Sequence, residues 1–492
     1  MGKILKQGFW STIVIYLGVV LGFINSIILF PKFLSTEQIG LIRQIISAAT
    51  ILIPIATFGV SSTYVKFYPL VKESIKEKSQ FFSLNLIITI IFYSIVLLSL
   101  FIFIDEIKLV FSEKSKLFFD YIYVVYSILF IMSISALMEA FLRARYDTVL
   151  SNIINGVSNR FFTAISVILL SLSLIDFNYL INFQIIIYFF GLLILIYYSN
   201  KKEKISITSR FNKIKKHFYK IFNYGSYAFL GSFSNIIVLN VDVLMVTSLL
   251  GLSQTGIYTT AFYIGMVIEI PRRAISQISI PFISENIKNN NYNKIQKNYK
   301  EISLHQILIG TLFFILIVTN LDNIFNLIPN SKEFIKGKNV VYIIGLSKLI
   351  IMSFSYNSEL ISLSKYYRFT VITIIILAFI SIMLNLILIP KYGMVGAAYA
   401  SLISILLYNI IKFIFIKVKM KISPFSINSI KIIIVGLIVL ITTNYFIPSI
   451  SDPLLDILIK SLAITSIYLG VLYKLNVSKK FNDILNQYIK IR

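Results

Sequence analysis

The sequence predicts an all-α, polytopic membrane protein with about fourteen transmembrane helices. Of its 492 residues, 57% are hydrophobic and only 14% are charged, whereas a soluble domain keeps roughly a quarter of its residues charged. The apolar residues also form runs of about twenty, the length that a helix needs to cross a hydrocarbon core of roughly 30 Å. Because such runs fill most of the chain, little sequence remains for a domain outside the bilayer.

Fourteen apolar runs are long enough to be interpreted as spans. The first run follows Lys3 and Lys6, as in a signal peptide, but it is too long and no A-x-A site follows it, so we expect it to be retained. The predicted spans lie near 9–31, 42–64, 81–104, 118–140, 153–175, 179–198, 225–249, 256–282, 303–321, 339–362, 369–389, 395–416, 430–448 and 455–473.

The distribution of basic residues predicts an orientation. A net charge of +25 would indicate nucleic acid as the partner of a soluble protein, but in membrane proteins Lys and Arg accumulate in cytoplasmic loops. When the loops are assigned alternately to the two sides, the side with the N-terminus contains 30 Lys and Arg, and the other side contains 9 when Arg43 at the outer end of the second span is included. We therefore expect both termini to be cytoplasmic and nucleic acid not to be a partner.

The longest connection between predicted spans is the basic segment 199–224, which separates six spans from eight. Eight Lys and Arg alternate there with large apolar residues. This pattern is typical of an interfacial helix that lies on anionic lipid, and it also fits a simple cytoplasmic loop.

Two of the predicted external hairpins resemble each other, which indicates an internal repeat. Phe33-Leu-Ser-Thr-Glu-Gln-Ile-Gly40 follows the first span and Leu250-Gly-Leu-Ser-Gln-Thr-Gly256 follows the seventh, and each ends in a glycine that opens the next helix. Transporters are often built from two such halves. The predicted parts are a six-helix bundle at 1–198, a linker at 199–224, a second six-helix bundle at 225–416, and two extra helices with a tail at 417–492.

Polar side chains within spans are candidates for function, because hydrocarbon offers them no partner. Helical spacing places several asparagines on polar stripes and several basic residues in spans two and eight. The candidates for substrate binding are Arg43, Lys66, Arg272, Arg273, Asn25, Asn155, Asn159 and Asn235. The candidates for ion coupling are Asp242, Glu269, Lys348 and Glu359. For all of them, hydrogen bonding between helices is the structural alternative.

Two pairs of charged residues within spans differ in their spacing. Lys348 and Glu359 share a helix face but are three turns apart, so each needs another partner. Glu139 and Arg143 are separated by one turn and are interpreted as a local ion pair of structural importance.

The sequence excludes or disfavours several classes of site. It has no cysteine, which excludes disulfides, thiolate metal sites and cysteine nucleophiles, and His217 and His305 lack metal-ligand spacing. The external loops are short and carry no D-x-D motif or nucleophile–base pair, which disfavours a glycosyltransferase or polymerase, and no filter-like repeat indicates a channel. We expect no catalytic site, no metal and no cofactor beyond a coupling proton or sodium ion.

Two stretches carry a resemblance to a known family. They run from Gly8-Phe-Trp-Ser-Thr12 through the first hairpin, and over Leu388-Ile-Pro-Lys-Tyr-Gly-Met-Val-Gly-Ala-Ala-Tyr-Ala400. With the plan of six, six and two spans, the chain resembles the oligosaccharide flippases, such as O-antigen flippases, of the polysaccharide-biosynthesis transporters. These belong to the superfamily of multidrug, oligosaccharidyl-lipid and polysaccharide exporters.

The resemblance implies two six-helix bundles around a V-shaped cavity in the bacterial cytoplasmic (inner) membrane. It implies an isoprenoid pyrophosphate that carries a short glycan, as in lipopolysaccharide biosynthesis, moved to the outer leaflet by alternating access with proton or sodium coupling. It also implies functional basic residues in the cavity, which by span position are Arg43, Lys66, Arg272 and Arg273. The resemblance further implies other membrane proteins of polysaccharide assembly as partners.

Two members of the same superfamily are alternatives. A multidrug–cation antiporter would have an acidic cavity for its cationic substrates, whereas the charged residues within these spans are mostly basic. A flippase for lipid-linked peptidoglycan precursors has the same span plan, and the sequence separates it poorly from an oligosaccharide flippase.

Overall fold

The computed structural model describes residues 2–71, 74–111, 113–212 and 218–489. All regular secondary structure in these ranges is helical, which confirms the predicted all-α class. Eleven described helices are long and apolar enough to cross a membrane, or twelve when one bent pair of helices counts as a span. The chain is therefore a multi-pass integral membrane protein, and the number of fourteen spans stays a prediction.

The chain divides into two compact units, residues 1–259 and 260–492. The helices that begin in the first unit are α1 Gly2–Phe23, α2 Phe30–Phe33, α3 Thr36–Thr57, α4 Val60–Val71, α5 Ile75–Ile102, α6 Ile104–Val110, α7 Lys116–Asp120, α8 Ile122–Arg143, α9 Val149–Asn152, α10 Asn159–Ser171, α11 Phe177–Lys202, α12 Phe218–Leu250 and α13 Leu252–Met266. The division between the units falls inside α13.

The second unit contains the remaining helices. They are α14 Ile270–Lys288, α15 Tyr292–Thr319, α16 Leu321–Leu327, α17 Ser331–Phe334, α18 Lys338–Ser353, α19 Asn357–Leu363, α20 Tyr367–Tyr392, α21 Met394–Lys419, α22 Ile427–Phe446, α23 Pro453–Lys474 and α24 Lys479–Ile489. The helices α22 and α23 pack on α15, where the Tyr468 hydroxyl donates a hydrogen bond to the Leu308 carbonyl at 3.1 Å. The last two predicted spans are thus held by the second unit.

Three of the fourteen predicted spans account for the lower count. The predicted eighth span is interrupted by a 3-10 turn at Val267–Glu269 between α13 and α14, where Pro271 lies in the first turn of α14 and lacks the N–H that a continuous helix requires. The tenth is bent by 47° between α18 and α19, where Ser355 has a positive φ of 54°. In the thirteenth, the apolar segment is only Ile427–Thr443.

Two spans of the first unit contain a π-helical turn. Ile24–Leu29 lies between α1 and α2, and Ile153–Ser158 lies between α9 and α10. The second of these turns packs against α1. Single π-helical turns inside a span locally change which side chains face a neighbouring helix.

The sequence left the predicted linker 199–224 open between an interfacial helix and a simple loop. Residues 199–202 end α11, residues 203–212 are irregular, residues 213–217 lie outside the described residues, and α12 begins at Phe218. No interfacial helix therefore occupies the described part between α11 and α12. Because α12 packs along α3, the first unit extends beyond this linker, and the predicted division into four parts stays a prediction.

Glu203 holds together three segments at one end of the first unit. Its carboxylate lies 2.5 Å from Lys78 Nζ at the start of α5 and 2.8 Å from Arg145 Nη2 after α8, and it accepts a hydrogen bond from the Tyr68 hydroxyl of α4 at 3.3 Å. Burial alone would raise the pKa of Glu203, but hydrogen bonds and positive charge from Lys78 and Arg145 lower it below its ordinary value.

We expect Glu203→Gln to lower the free energy of unfolding by about 1–2 kcal/mol, because one carboxylate accepts several charge-assisted hydrogen bonds. A lowered pKa in the folded state means that this contribution is full above the ordinary carboxyl range and disappears as pH falls through the lowered value. Thermal unfolding of the purified protein between pH 7 and pH 3 measures both effects. Glu106→Gln, at an exposed position of α6, is the control, and equal losses in the two variants would contradict the prediction.

Candidate functional site

The second unit contains a cluster of five charged side chains within its membrane-spanning segments. Glu269 directly precedes α14, and Arg272 lies in the first turn of that helix. Lys348 comes from α18, Glu359 from α19 and Lys412 from α21. The breaks between α13 and α14 and between α18 and α19 direct the two carboxylates toward the same region. We call these five residues the charge cluster.

Four members of the charge cluster form a continuous chain of ion pairs. Lys348 Nζ lies 3.1 Å from Glu269 Oε2, and Arg272 Nη1 lies 3.4 Å from Glu269 Oε1. Arg272 Nη2 lies 3.7 Å from Glu359 Oε1. Each of the four side chains is less than one fifth exposed, so these pairs neutralise charges that would otherwise be costly in hydrocarbon.

The broken helix also contributes to the charge cluster. Ser355, at the bend between α18 and α19, presents its carbonyl oxygen to Arg272 Nε at 3.4 Å. Glu359 Oε2 is buried and accepts no hydrogen bond from the described residues. Glu359 is therefore the less firmly held of the two carboxylates.

Lys412 is the fifth member, and sequence reasoning missed it. Its side chain is fully buried. Its Nζ donates a hydrogen bond to Ser358 Oγ at 2.5 Å and lies 3.4 Å from the centre of the Tyr408 ring. Among the described residues, no carboxylate lies within 4.0 Å of this amine. Its signal in the sequence is that it is a lysine inside a predicted span, 395–416, and that Ser404, Tyr408 and Lys412 follow one another at four-residue spacing.

The charge cluster has a positive excess. Three basic side chains face two carboxylates, so one positive charge remains when all five groups are ionised. Such a charge requires an anion or water, because hydrocarbon does not stabilise it. A guanidinium fork and two ammonium groups suit phosphate oxygens.

The structure brings some of the predicted site residues together and places others elsewhere. Glu269, Arg272, Lys348 and Glu359 are brought together, and the expectation that Lys348 and Glu359 need other partners is confirmed. The side chain of Arg273 lies outside the described residues.

The other predicted charged residues belong to the first unit. Asp242 is buried and accepts a hydrogen bond from the Tyr258 hydroxyl at 3.0 Å. Arg43 Nη2 donates to Ser26 Oγ at 2.6 Å. Lys66 is exposed, and its Nζ lies 3.6 Å from the centre of the Tyr224 ring. Their predicted roles in substrate binding and ion coupling stay predictions.

The polar stripe of the first span is a helix-packing face. A Cβ atom on Gly18 would lie 2.5 Å from the carbonyl oxygen of Gly156, and one on Gly22 would lie 2.7 Å from the guanidinium of Arg160. Asn25 Nδ2 donates to the Arg160 carbonyl at 2.8 Å. These contacts are of the kind that small and polar residues make between membrane helices. The predicted role of Asn25 in substrate binding stays a prediction.

The asparagines of the fifth span line a cavity of about 300 Å³ within the first unit. Asn155 Nδ2 donates to Glu139 Oε1 at 2.7 Å, and Asn159 lines the same cavity. Arg143 Nη2 lies 4.0 Å from Glu139 Oε2, so the local ion pair predicted from the sequence is only a marginal contact. Asn235 is exposed on α12.

The two similar hairpins pack against each other. A Cβ atom on Gly40 would overlap the backbone of Leu252, and one on Gly256 would overlap the backbone of Thr36. When Gly40 is aligned with Gly256, Thr36 is aligned with Leu252, so the contact is reciprocal. The hydroxyls of Thr36 and Ser253 lie 2.8 Å apart, and glycine is required at both positions because the helices meet backbone to backbone.

Solved structures show that this fold is shared. A structure described as lipid II flippase MurJ in an inward closed conformation has a TM-score of 0.75 and 16% identity, covering 94% of this chain and 99% of that chain. An inward-facing multidrug resistance MATE family transporter of the MOP superfamily has a TM-score of 0.65 and 13% identity, covering 82% and 94%. A MOP superfamily transporter from Pyrococcus furiosus Vc1 has a TM-score of 0.59 and 13% identity, covering 85% and 95%.

Sequence comparison identifies the family. No curated protein sequence matches the chain significantly. A family model described as polysaccharide biosynthesis protein matches residues 4–287, which is more than half of the chain and contains the first stretch that carried the predicted resemblance. The chain therefore belongs to the polysaccharide biosynthesis protein family.

Proposed function

We propose that the protein is a flippase that moves an isoprenoid-pyrophosphate-linked oligosaccharide across the bacterial cytoplasmic membrane by alternating access, for cell-surface polysaccharide biosynthesis. Membership in the polysaccharide biosynthesis family supports the pathway. The fold, shared with a lipid II flippase and with MATE transporters, supports transport rather than catalysis. The charge cluster is the observation that carries the choice of substrate.

The positive excess of the charge cluster favours an anionic substrate. A pyrophosphate presents several charged oxygens, and Arg272 with Lys348 and Lys412 offers the donors that bind them. The contact of Arg272 with Glu359 is long at 3.7 Å, so a phosphate oxygen can compete for this guanidinium. An antiporter of cationic drugs would need the opposite sign of charge.

The cluster also provides a route to ion coupling. Protonation of Glu359 would remove its attraction for Arg272 and leave the guanidinium available to the pyrophosphate. Binding of a proton and binding of the substrate would then favour each other, and this coupling acts equally in both directions. A sodium ion beside a carboxylate of the cluster would have the same electrostatic effect.

A flippase for lipid-linked peptidoglycan precursors is the second candidate, and the fold observed for the lipid II flippase favours it equally. Both kinds of flippase would carry a lipid pyrophosphate, so the charge cluster does not distinguish them. The glycan that accumulates in a deletion strain distinguishes them.

Deletion of the gene is expected to leave a complete lipid-linked oligosaccharide on the cytoplasmic leaflet, because synthesis continues while export stops. Leaflet-specific labelling of spheroplasts and analysis of extracted lipids measure it. The control is a strain complemented with the wild-type gene. Loss of glycan synthesis would indicate an enzyme, accumulation of peptidoglycan precursor would indicate the second candidate, and altered drug resistance with normal glycan export would indicate an antiporter.

We expect Arg272→Ala to reduce export by about 10–100-fold, since one charge-assisted hydrogen bond contributes about 1.5–3 kcal/mol. Arg272→Lys should lose part of this activity because it keeps the charge but not the fork. Surface glycan per cell, normalised to the amount of protein in the membrane, is the measurement. Lys431→Ala, an exposed lysine in α22, is the matched control, and full export by Arg272→Ala would remove this residue from the site.

The packed hairpins predict a cross-link that stops transport. The natural chain has no cysteine, so Thr36→Cys with Ser253→Cys introduces a single pair whose parent hydroxyls lie 2.8 Å apart. Alternating access requires the predicted outer ends of α3 and α13 to separate in one state, which a disulfide would prevent. Export should fall to background after oxidation and return after reduction.

Each single-cysteine variant is the control for this pair and should export normally after the same treatment. Export that continues in a fully cross-linked double variant would show that these ends need not separate during transport.

A further inference from the structure

The cavity in the first unit shares no lining residue with the charge cluster and has no role in the proposal so far. It occupies about 300 Å³ among residues of α3, α8, α10, α11 and the π-helical turn at Ile153–Ser158. Its polar lining includes Glu139, Asn155 and Asn159, and apolar side chains such as Met132 and Leu192 complete it. A few polar groups in an apolar wall are typical of a site for a small organic molecule.

The polar groups of this cavity are incompletely paired. Glu139 accepts one hydrogen bond from Asn155, and its nearest basic partner, Arg143, lies 4.0 Å away. Asn159 Oδ1 is buried and accepts no hydrogen bond from the described residues. Buried acceptors are seldom left in this state, so the cavity presents acceptors to a ligand that can donate.

Gly191 keeps one of these acceptors accessible. A Cβ atom at this position of α11 would lie 3.7 Å from Asn159 Oδ1 and 2.8 Å from Ile154 Cγ2. Any larger residue would therefore crowd the wall of the cavity beside the unpaired amide oxygen.

The size of the cavity determines the class of ligand. A bare cation would fill little of it, because one water already takes up about 30 Å³. Among the described residues no group of three His, Cys, Asp or Glu side chains could hold a metal ion. A sugar ring has hydroxyls that both donate and accept, which matches a carboxylate and two amides, and a cavity of this size admits one residue rather than a whole glycan.

We propose that this cavity binds one neutral sugar residue of the carried glycan, with Glu139, Asn155 and Asn159 hydrogen-bonded to its hydroxyl groups. The proposal rests on the proposed function for the source of the sugar. It assigns recognition of a sugar to the first unit, while the lipid pyrophosphate is recognised by the charge cluster of the second.

Binding of simple sugars to the purified full-length protein tests this proposal. The probes are methyl β-glucoside, methyl β-galactoside and methyl N-acetyl-β-glucosaminide, each at high millimolar concentration, with glycerol as the polyol control. At least one pyranoside should raise the Tm by about 1–3 °C above the glycerol value, because a ligand bound only to the folded state stabilises it.

Matched variants locate the effect. Glu139→Gln keeps the side-chain volume and Asn159→Leu keeps the branched shape without the polar atoms, and both should abolish the pyranoside shift. Asn85→Leu is the control, because Asn85 is fully buried and also has an unpaired Oδ1 but does not line the cavity; its shift should equal that of the wild-type protein. A pyranoside shift that persists in Asn159→Leu, or none in the wild-type protein, would overturn the proposal.

Replacing choline chloride by sodium chloride separates a sugar site from a cation site. Stabilisation by sodium that Glu139→Gln removes, without any pyranoside shift, would identify a cation site and overturn the proposal. Failure of the flippase function is a different result, since it would appear as normal glycan export in the deletion strain whatever the sugar binding.

Discussion

Hydrocarbon offers no hydrogen-bond partner, and this constraint determines the structure at each level. The backbone satisfies it by forming helices over nearly all of the described chain. The charged side chains of the second unit satisfy it by pairing with one another, from Lys348 through Glu269 and Arg272 to Glu359. Removing one member would leave a buried charge without its partner, at a cost of about 3–5 kcal/mol, so the four side chains depend on one another.

The helix breaks and the charge cluster belong to the same arrangement. A break frees backbone groups that must find partners within the protein. One of them is the Ser355 carbonyl, which accepts a hydrogen bond from Arg272 Nε. The break before α14 places Glu269 and Arg272 one turn apart beside Lys348. A pair of straight helices would satisfy the backbone better but would not present two carboxylates and a guanidinium to the same point. Strain of this kind is expected where a site is built.

The sequence predicted which residues belong to the charge cluster better than it predicted which of them form ion pairs. Residue type and burial within an apolar run are local properties, so Glu269, Arg272, Lys348 and Glu359 could be identified as candidates. Their pairing depends on the bend at Ser355, which has no proline or glycine to indicate it. Lys412 was missed because it stands alone near the end of its span, where a lysine usually extends to the interface. The broken eighth and tenth spans were read as continuous because hydropathy averages over such breaks.

A polar stripe on a predicted helix is weak evidence for a binding site, because helical spacing does not show what the stripe faces. The stripe of the first span packs on the fifth span, with Gly18 against Gly156 and Asn25 on the Arg160 backbone. On the fifth span, Asn155 and Asn159 turn toward a cavity instead. The π-helical turn at Ile153–Ser158 shifts the register by which later residues of the fifth span face their neighbours. Glu139 was likewise read from its spacing to Arg143 alone, whereas the turn brings Asn155 within 2.7 Å of it. A local irregularity of one helical turn thus affects whether a polar side chain faces a neighbouring helix or a cavity.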